Sequence, residues 1–253
     1  MGTALVTGAT SGLGEEFCWQ LAAAGHNLVL VARRGELLAE IASRLHNVTG
    51  VRTEVIVADL AQPKDRARVG ARIQSPEAPI GLLVNNAGFG LGRPFVDNSL
   101  ENEKNALTVM VEAVMELSHC AARAMRERGH GAILNVASVA SLTGAGTYSA
   151  HKAWVVAFTE GLSQELRGTP VTATAVCPGP TRTQFFDNAG VDMGQTPPWA
   201  MLTSEQVVSE ALDAVSRGRV LVTPSPLYKV AMGAMKVSPR WLVRRAMRSV
   251  PHM

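Results

Sequence analysis

Tyr148 and Lys152 stand four residues apart, and in a helix residues at i and i+4 share a face, so a phenol and an ammonium project together. A phenol beside a positive charge is a proton donor whose anion is stabilised, which lowers its pKa from the usual value of about 10. Ser138, ten positions upstream, adds a hydroxyl able to hold and polarise an oxygen. A tyrosine and a lysine at this spacing are common on solvated helices, so the pair gains meaning only from its surroundings. A second group stands near the start of the chain, where Gly8, Gly12 and Gly14 lie within T-G-A-T-S-G-L-G at 7–14. Such glycines let a turn tighten and let backbone N–H groups approach a phosphate, and a helix starting behind them adds partial positive charge. A turn that merely reverses the chain is the plainer alternative.

The flanking segments decide between the alternatives. The apolar run Thr3 to Val6 leads into the glycines, and the stretch from Glu15 to Ala24 is compatible with a helix. Further short apolar runs at 27–32, 54–58, 80–85, 131–138, 171–177 and 220–222 alternate with helical patterns at 37–45, 64–73, 100–128, from about 148, and at 204–216. This alternation predicts an α/β fold: a single Rossmann-type doubly wound parallel sheet of about seven strands with helices on both faces. Ligands bind such sheets beyond the carboxyl ends of the strands. Each chemically notable group follows a strand there: the glycines, Arg33-Arg34, Asp59-Leu60, Asn85-Asn86-Ala87-Gly88, Ser138, and the loop from Pro178 to Thr183. The chain divides into a dinucleotide-binding catalytic domain, 1–225, and a basic amphipathic C-terminal extension of the same domain, 226–253.

The glycine spacing, the N-N-A-G motif at 85–88, Ser138 ahead of Y-S-A-H-K at 148–152, and Pro178-Gly179 followed by Thr183 come in one order. In these respects the chain resembles the classical short-chain dehydrogenase/reductase family over residues 3 to about 222. The resemblance implies hydride transfer between a nicotinamide cofactor and a carbonyl or alcohol, with Ser138, Tyr148 and Lys152 catalytic. Tyr148 would be the acid, Ser138 would hold the substrate oxygen, and Lys152 would also bind the nicotinamide ribose. The cofactor residues it implies are Gly8, Thr10, Ser11, Gly12, Leu13 and Gly14, then Asp59 and Leu60, Asn86, Ala87 and Gly88, and finally Tyr148, Lys152, Pro178, Gly179, Thr181 and Thr183. Arg33 and Arg34 stand where an acidic residue would hold the ribose of NAD, and arginine there accommodates the 2′-phosphate of NADP, so NADP (NADPH) is the expected cofactor. A homodimer or homotetramer is implied as well.

The chain departs from the family in two places. The short distance from Ser138 to Tyr148 trims the connecting loop. The family usually has an asparagine about 28 positions before the serine, holding a water that links the lysine to solvent. Counting back reaches Met110, which cannot hydrogen-bond as asparagine does. A catalytically weakened cofactor-binding scaffold or sensor is therefore the alternative to an enzyme.

A length of 253 residues suits one α/β domain, and the lack of an apolar run long enough to span a bilayer predicts a cytoplasmic protein. Cys18, Cys120 and Cys177 are far apart and form no C-x-x-C pair, and the six histidines lack ligand spacing, so buried thiols and no metal are expected. The net charge of +3 hides an asymmetry: up to Asp213 sixteen basic residues face twenty-one acidic ones, whereas 214–253 carry +8 and no acid. One basic end without a broad basic face argues against nucleic acid. It suits docking on the body or on a second subunit, or peripheral membrane contact, for which Arg240, Arg244 and Arg248 form a stripe beside Leu242, Val243, Ala246 and Met247. The segment 185–202, with Phe185, Phe186, Val191, Met193, Trp199, Met201 and Leu202, is too apolar to lie fully solvated. A mobile lid over an apolar substrate is expected, with a packed irregular loop as the alternative. A lipophilic ketone or secondary alcohol, steroid-like or fatty-acyl, is the expected substrate.

Overall fold

A computed structural model describes residues 2–144, 146–191 and 197–246, apart from the side chains of Asn188, Arg240, Arg244 and Ala246. Seven strands, β1 (Thr3–Thr7), β2 (Asn27–Ala32), β3 (Thr53–Val57), β4 (Ile80–Asn85), β5 (Gly131–Val136), β6 (Val171–Val176) and β7 (Leu221–Val222), form one sheet in the order β3-β2-β1-β4-β5-β6-β7. Every pairing is parallel, as the apolar runs predict. The order reverses between β1 and β4, which opens the crevice where such sheets bind ligands.

Side chains alternate across the strands, and here both faces are covered. On β1 and β2, Ala4, Val6, Leu28 and Leu30 face one core, with α1 (Gly12–Ala23), α2 (Gly35–Thr49) and α8 (Ser204–Ser216), while Leu5, Val29 and Val31 face the other. That second core takes Val69 and Ile73 of α3 (Pro63–Gln74), Leu117 and Ala121 of α5 (Ala113–Arg128), and residues at the end of α6 (Gly146–Glu165) and just beyond it. Burial on both faces is why the inner strands read as continuous apolar runs, whereas the edge strand β3 leaves Glu54, Val55 and Val57 exposed.

The single helix predicted over 100–128 is α4 (Leu100–Leu107) joined to α5 by a π turn at Thr108–Glu112, where Ala113 N–H donates to the Thr108 carbonyl. Amphipathic periodicity does not distinguish one π turn from a continuing α-helix. Strand β5 ends at Val136 rather than at Ser138, and Ser138 instead caps a 3₁₀ turn, Val139–Leu142, accepting from the Ala140 N–H at 3.1 Å. A hydroxyl that caps locally is held outside the ladder. Thr203 caps α8 by accepting from Gln206 N–H. After β7 come α9 (Pro226–Val237) and α10 (Arg240–Ala246). Cys18 and Cys177 are buried as expected, but Cys120 is only half-buried, on the surface between α3 and α5. Among the described residues, no helix is long and apolar enough to cross a membrane.

Candidate functional site

The glycine turn is built for close approach. Gly8 and Gly12 have φ of 67° and 55°, the left-handed region that favours glycine. Helix α1 begins at Gly12 behind Ser11, whose side chain makes no capping bond; the N–H groups of Gly14 and Glu15 turn back to the Ser11 carbonyl, which leaves those of Gly12 and Leu13 available to an anion. The turn is tied to β4 by Thr7, whose Oγ1 accepts from the N–H groups of Asn86 and Ala87, both at 3.0 Å, while Asn86 Nδ2 donates to the Thr7 carbonyl at 2.9 Å. Gly14, expected among the cofactor contacts, does not line the cleft. It faces backwards, and a Cβ there would fall 2.0 Å from the Gly8 carbonyl oxygen.

All other expected cofactor residues do line one cleft of about 1370 Å³: the glycine turn, Arg33 and Arg34, Asp59 and Leu60, Asn86 to Gly88, Ser138, Tyr148, Lys152, and Pro178, Gly179, Thr181 and Thr183. Arg34 is occupied, donating to the carbonyl and Oγ1 of Thr10 at 3.1 and 3.0 Å. Arg33, also exposed, has no hydrogen-bond partner among the described residues. Asp59 accepts from Ala61 N–H at 3.1 Å, so it shapes its turn while bordering the cleft. Thr183 stands against the glycine turn, 3.1 Å from where a Cβ of Gly12 would sit. The glycine cradle, the free N–H groups and the two arginines fit a nucleotide with phosphates.

Tyr148 and Lys152 are both buried on α6, with Lys152 Nζ 5.6 Å from the centre of the Tyr148 ring and donating to the Val136 carbonyl at 2.8 Å. Within the fold, burial works against the lowering that a neighbouring positive charge would give Tyr148. Burial raises the phenol pKa, with the Ser138 hydroxyl in hydrogen-bond range working the other way, and the same burial lowers Lys152 to about 8. Both groups have left water, so each favours its neutral form. Tyr148 therefore keeps its proton at neutral pH, as a proton donor must. Met110, in the π turn, is fully buried against Ala106, Ala140 and Tyr148. Its Sδ and Lys152 Nζ lie equally close, 3.5 Å, to where a Cβ of Gly88 would be. Asn105, on the same helical run, is exposed.

The far end of the cleft is apolar. Phe185 and Phe186 of α7 (Phe185–Ala189) line it with Val191 and Phe89, and Phe185 tilts against Tyr148 with ring centres 5.5 Å apart. Of the expected lid, residues 192–196, including Met193, lie outside the described residues. Its end is packed: Leu202 is buried, its N–H donates to the Pro180 carbonyl and its carbonyl accepts from Arg182 N–H. Tyr228, Ala231 and Met235 of α9 also line the cleft. Sequence reasoning misses them as site residues, although their i, i+3, i+7 spacing marks a helix face. Tyr228 Oη donates to the Ala200 carbonyl at 2.7 Å, and its ring lies against Gly179, where a Cβ would fall 2.5 Å from a ring carbon. Helix α9 thus clamps the loop after β6.

Burial of Lys152 also bears on stability. Its pKa is 10.5 in the open chain and about 8 in the fold, so between those values the unfolded chain binds more protons and stability rises with pH. Below about pH 8 the penalty is complete, on the order of 3 kcal/mol. Tyr148, shifted upward, acts with the opposite sign only above its unfolded value of 10. Urea unfolding at pH 8 and pH 10 is therefore expected to show the wild type gaining stability relative to Lys152→Met, a difference in which the cysteines cancel. Parallel profiles would mean that Lys152 keeps its hydration.

Comparison with known proteins agrees with this geometry. A very-long-chain 3-oxoacyl-CoA reductase of Laccaria bicolor is 35% identical over 174 residues, which cover 67% of this chain and 52% of that protein, so the match spans about half the length of that relative. A 7beta-hydroxysteroid dehydrogenase of Collinsella aerofaciens is 30% identical, over 84% of this chain and 82% of its own. Among solved structures, a short-chain dehydrogenase from Sphingobium yanoikuyae in complex with NADPH superposes with a TM-score of 0.85 at 32% identity, covering 95% of this chain and 97% of the other. The family model for short chain dehydrogenases matches residues 2–194, from the first strand to the lid, and the chain belongs to that family of oxidoreductases.

Proposed function

We propose that the protein is an NADP(H)-dependent reductase of a lipophilic ketone, acting in reverse on the secondary alcohol. The observation that carries this is the single cleft running from a phosphate-binding turn, past Ser138, Tyr148 and Lys152, to a wall of Phe89, Phe185, Phe186, Val191, Tyr228 and Met235. NADPH supplies the hydride when bound. The glycine turn would hold its phosphates, and Arg33, free where Arg34 is engaged, would pair with the 2′-phosphate. Ser138 holds the substrate oxygen and Tyr148, protonated at neutral pH, delivers a proton to it. The apolar wall favours a steroid-like or fatty-acyl substrate over a charged one.

The test is to titrate NADPH and NADH into wild type and Arg33→Ala, then to follow NADPH absorbance over a panel of lipophilic ketones. Wild type is expected to prefer NADPH, and Arg33→Ala to lose NADPH affinity by about ten- to a hundredfold while NADH is nearly unchanged, a charge-assisted bond being worth about 1.5–3 kcal/mol. Equal affinities in wild type would remove the argument for NADP. The buried, apolar Met110 beside Lys152 favours a second reading, a cofactor-binding scaffold with little turnover. Tight NADPH binding without oxidation by any ketone would select it.

A further inference from the structure

We propose that the outer face of α9 and α10 docks on an anionic lipid surface, so that a lipophilic substrate passes from the bilayer into the cleft; the substrate part rests on the function proposed above. Helix α9 has two apolar faces. The inner one lines the cleft through Tyr228, Ala231 and Met235. On the opposite face Val230 and Val237, seven residues apart and so on one line, are 72% and 86% exposed. Leu227, Trp241 and Leu242 are exposed beside them in sequence. So is Trp199, 74% exposed, whose neighbour Ala200 is held by the Tyr228 hydroxyl. Single exposed apolar side chains are ordinary, but six of the fourteen large ones exposed among the described residues gather on α9, α10 and the turn clamped to them.

Charge identifies the occupant. No acidic residue lies beyond Asp213, and six of the eight basic residues beyond it stand from Lys229 onward, of which Arg248 and the side chains of Arg240 and Arg244 lie outside the described residues. Lys236 and Arg245 are exposed, whereas Lys229 is shared with Glu210 at 3.4 Å and counts for less. A basic, amphipathic surface bearing exposed tryptophans suits the layer between anionic headgroups and acyl chains.

The experiment is co-sedimentation of the full-length protein with vesicles of phosphatidylcholine alone and of phosphatidylcholine mixed with phosphatidylglycerol, at low and high salt. It compares wild type with Lys236→Gln/Arg245→Gln and Val230→Asp/Val237→Asp, each checked for NADPH affinity and turnover of a water-soluble ketone. Wild type should bind the anionic vesicles and weaken with salt. The charge variant should lose affinity by on the order of 25-fold, about fivefold per cation, and the valine variant should lose binding at either salt, both with NADPH affinity intact. Absence of vesicle binding, or binding unchanged in both variants, overturns the proposal. So does a concentration-dependent oligomer that the valine variant abolishes without any vesicle binding, which would assign the face to a second copy. Failure to reduce any ketone leaves vesicle binding measurable and sinks the reading of the cleft instead.

Discussion

Tyr148→Phe is expected to lower turnover by about three orders of magnitude, the middle of the range for losing a positioned proton donor, while changing NADPH affinity less than about twofold. The substitution is close to isosteric where it matters. Phenylalanine keeps the ring that packs on Phe185, Met110, Ala106 and Ala140, and deletes only the hydroxyl whose proton burial retains at neutral pH. Loss of the hydroxyl's polar contacts should cost no more than about 1 kcal/mol of stability. Stopped-flow oxidation of bound NADPH, fluorescence titration of the cofactor and a melting curve separate these effects. If the variant turned over at a tenth of the wild-type rate or better, the proton would have to come from elsewhere.

The second large effect is expected at Gly14, a glycine that does not line the cleft. In Gly14→Ala the new methyl would lie 2.0 Å from the Gly8 carbonyl oxygen and 2.5 Å from Asn86 Nδ2. The first of these is backbone that cannot rotate away, so the turn at Gly8, the start of α1, or the Asn86 tie to Thr7 must shift. Overpacking of this kind costs about 2–3 kcal/mol, and it displaces the N–H groups meant for phosphate. NADPH affinity is expected to fall more than about 100-fold, since misplacing several charge-assisted bonds at roughly 1.5 kcal/mol each accounts for at least that. Gly144→Ala, where nothing lies within 4 Å of the new methyl, serves as the control and should leave both affinity and melting temperature alone. Unchanged affinity in Gly14→Ala would mean that the helix start is looser than its packing indicates.

Much of this site was legible because its residues are local to strand ends. A strand buried on both faces must be apolar throughout, and the glycines, arginines, Ser138 and the Pro178 loop each follow such a run, so fold and site could be read from one pattern. The hidden features were set by distance or by burial. Glycine spacing does not say which glycine faces the ligand, and Gly14 turned out to face Gly8. The apolar stripe of α9 was visible, but that it covers Gly179 and Ala200 depends on the closed fold. Neighbouring charge suggested a lowered phenol pKa for Tyr148; the opposite direction comes from desolvation, which no spacing reports.

The clamp of α9 on the Pro178 loop also orders events during synthesis. Strands β1 to β4 and the glycine turn emerge from the ribosome within the first third of the chain, and with β4 paired to β1 the phosphate end of the cleft has its frame. The loop from Pro178 to Thr183 gains its supports much later, first from Leu202 and then from Tyr228, which holds both Gly179 and Ala200 in place. Vectorial folding therefore assembles the two ends of one cleft at different times. A nascent chain has the frame of the glycine turn well before it has the supports of the loop after β6, and helix α9 completes a cleft that the first strands begin.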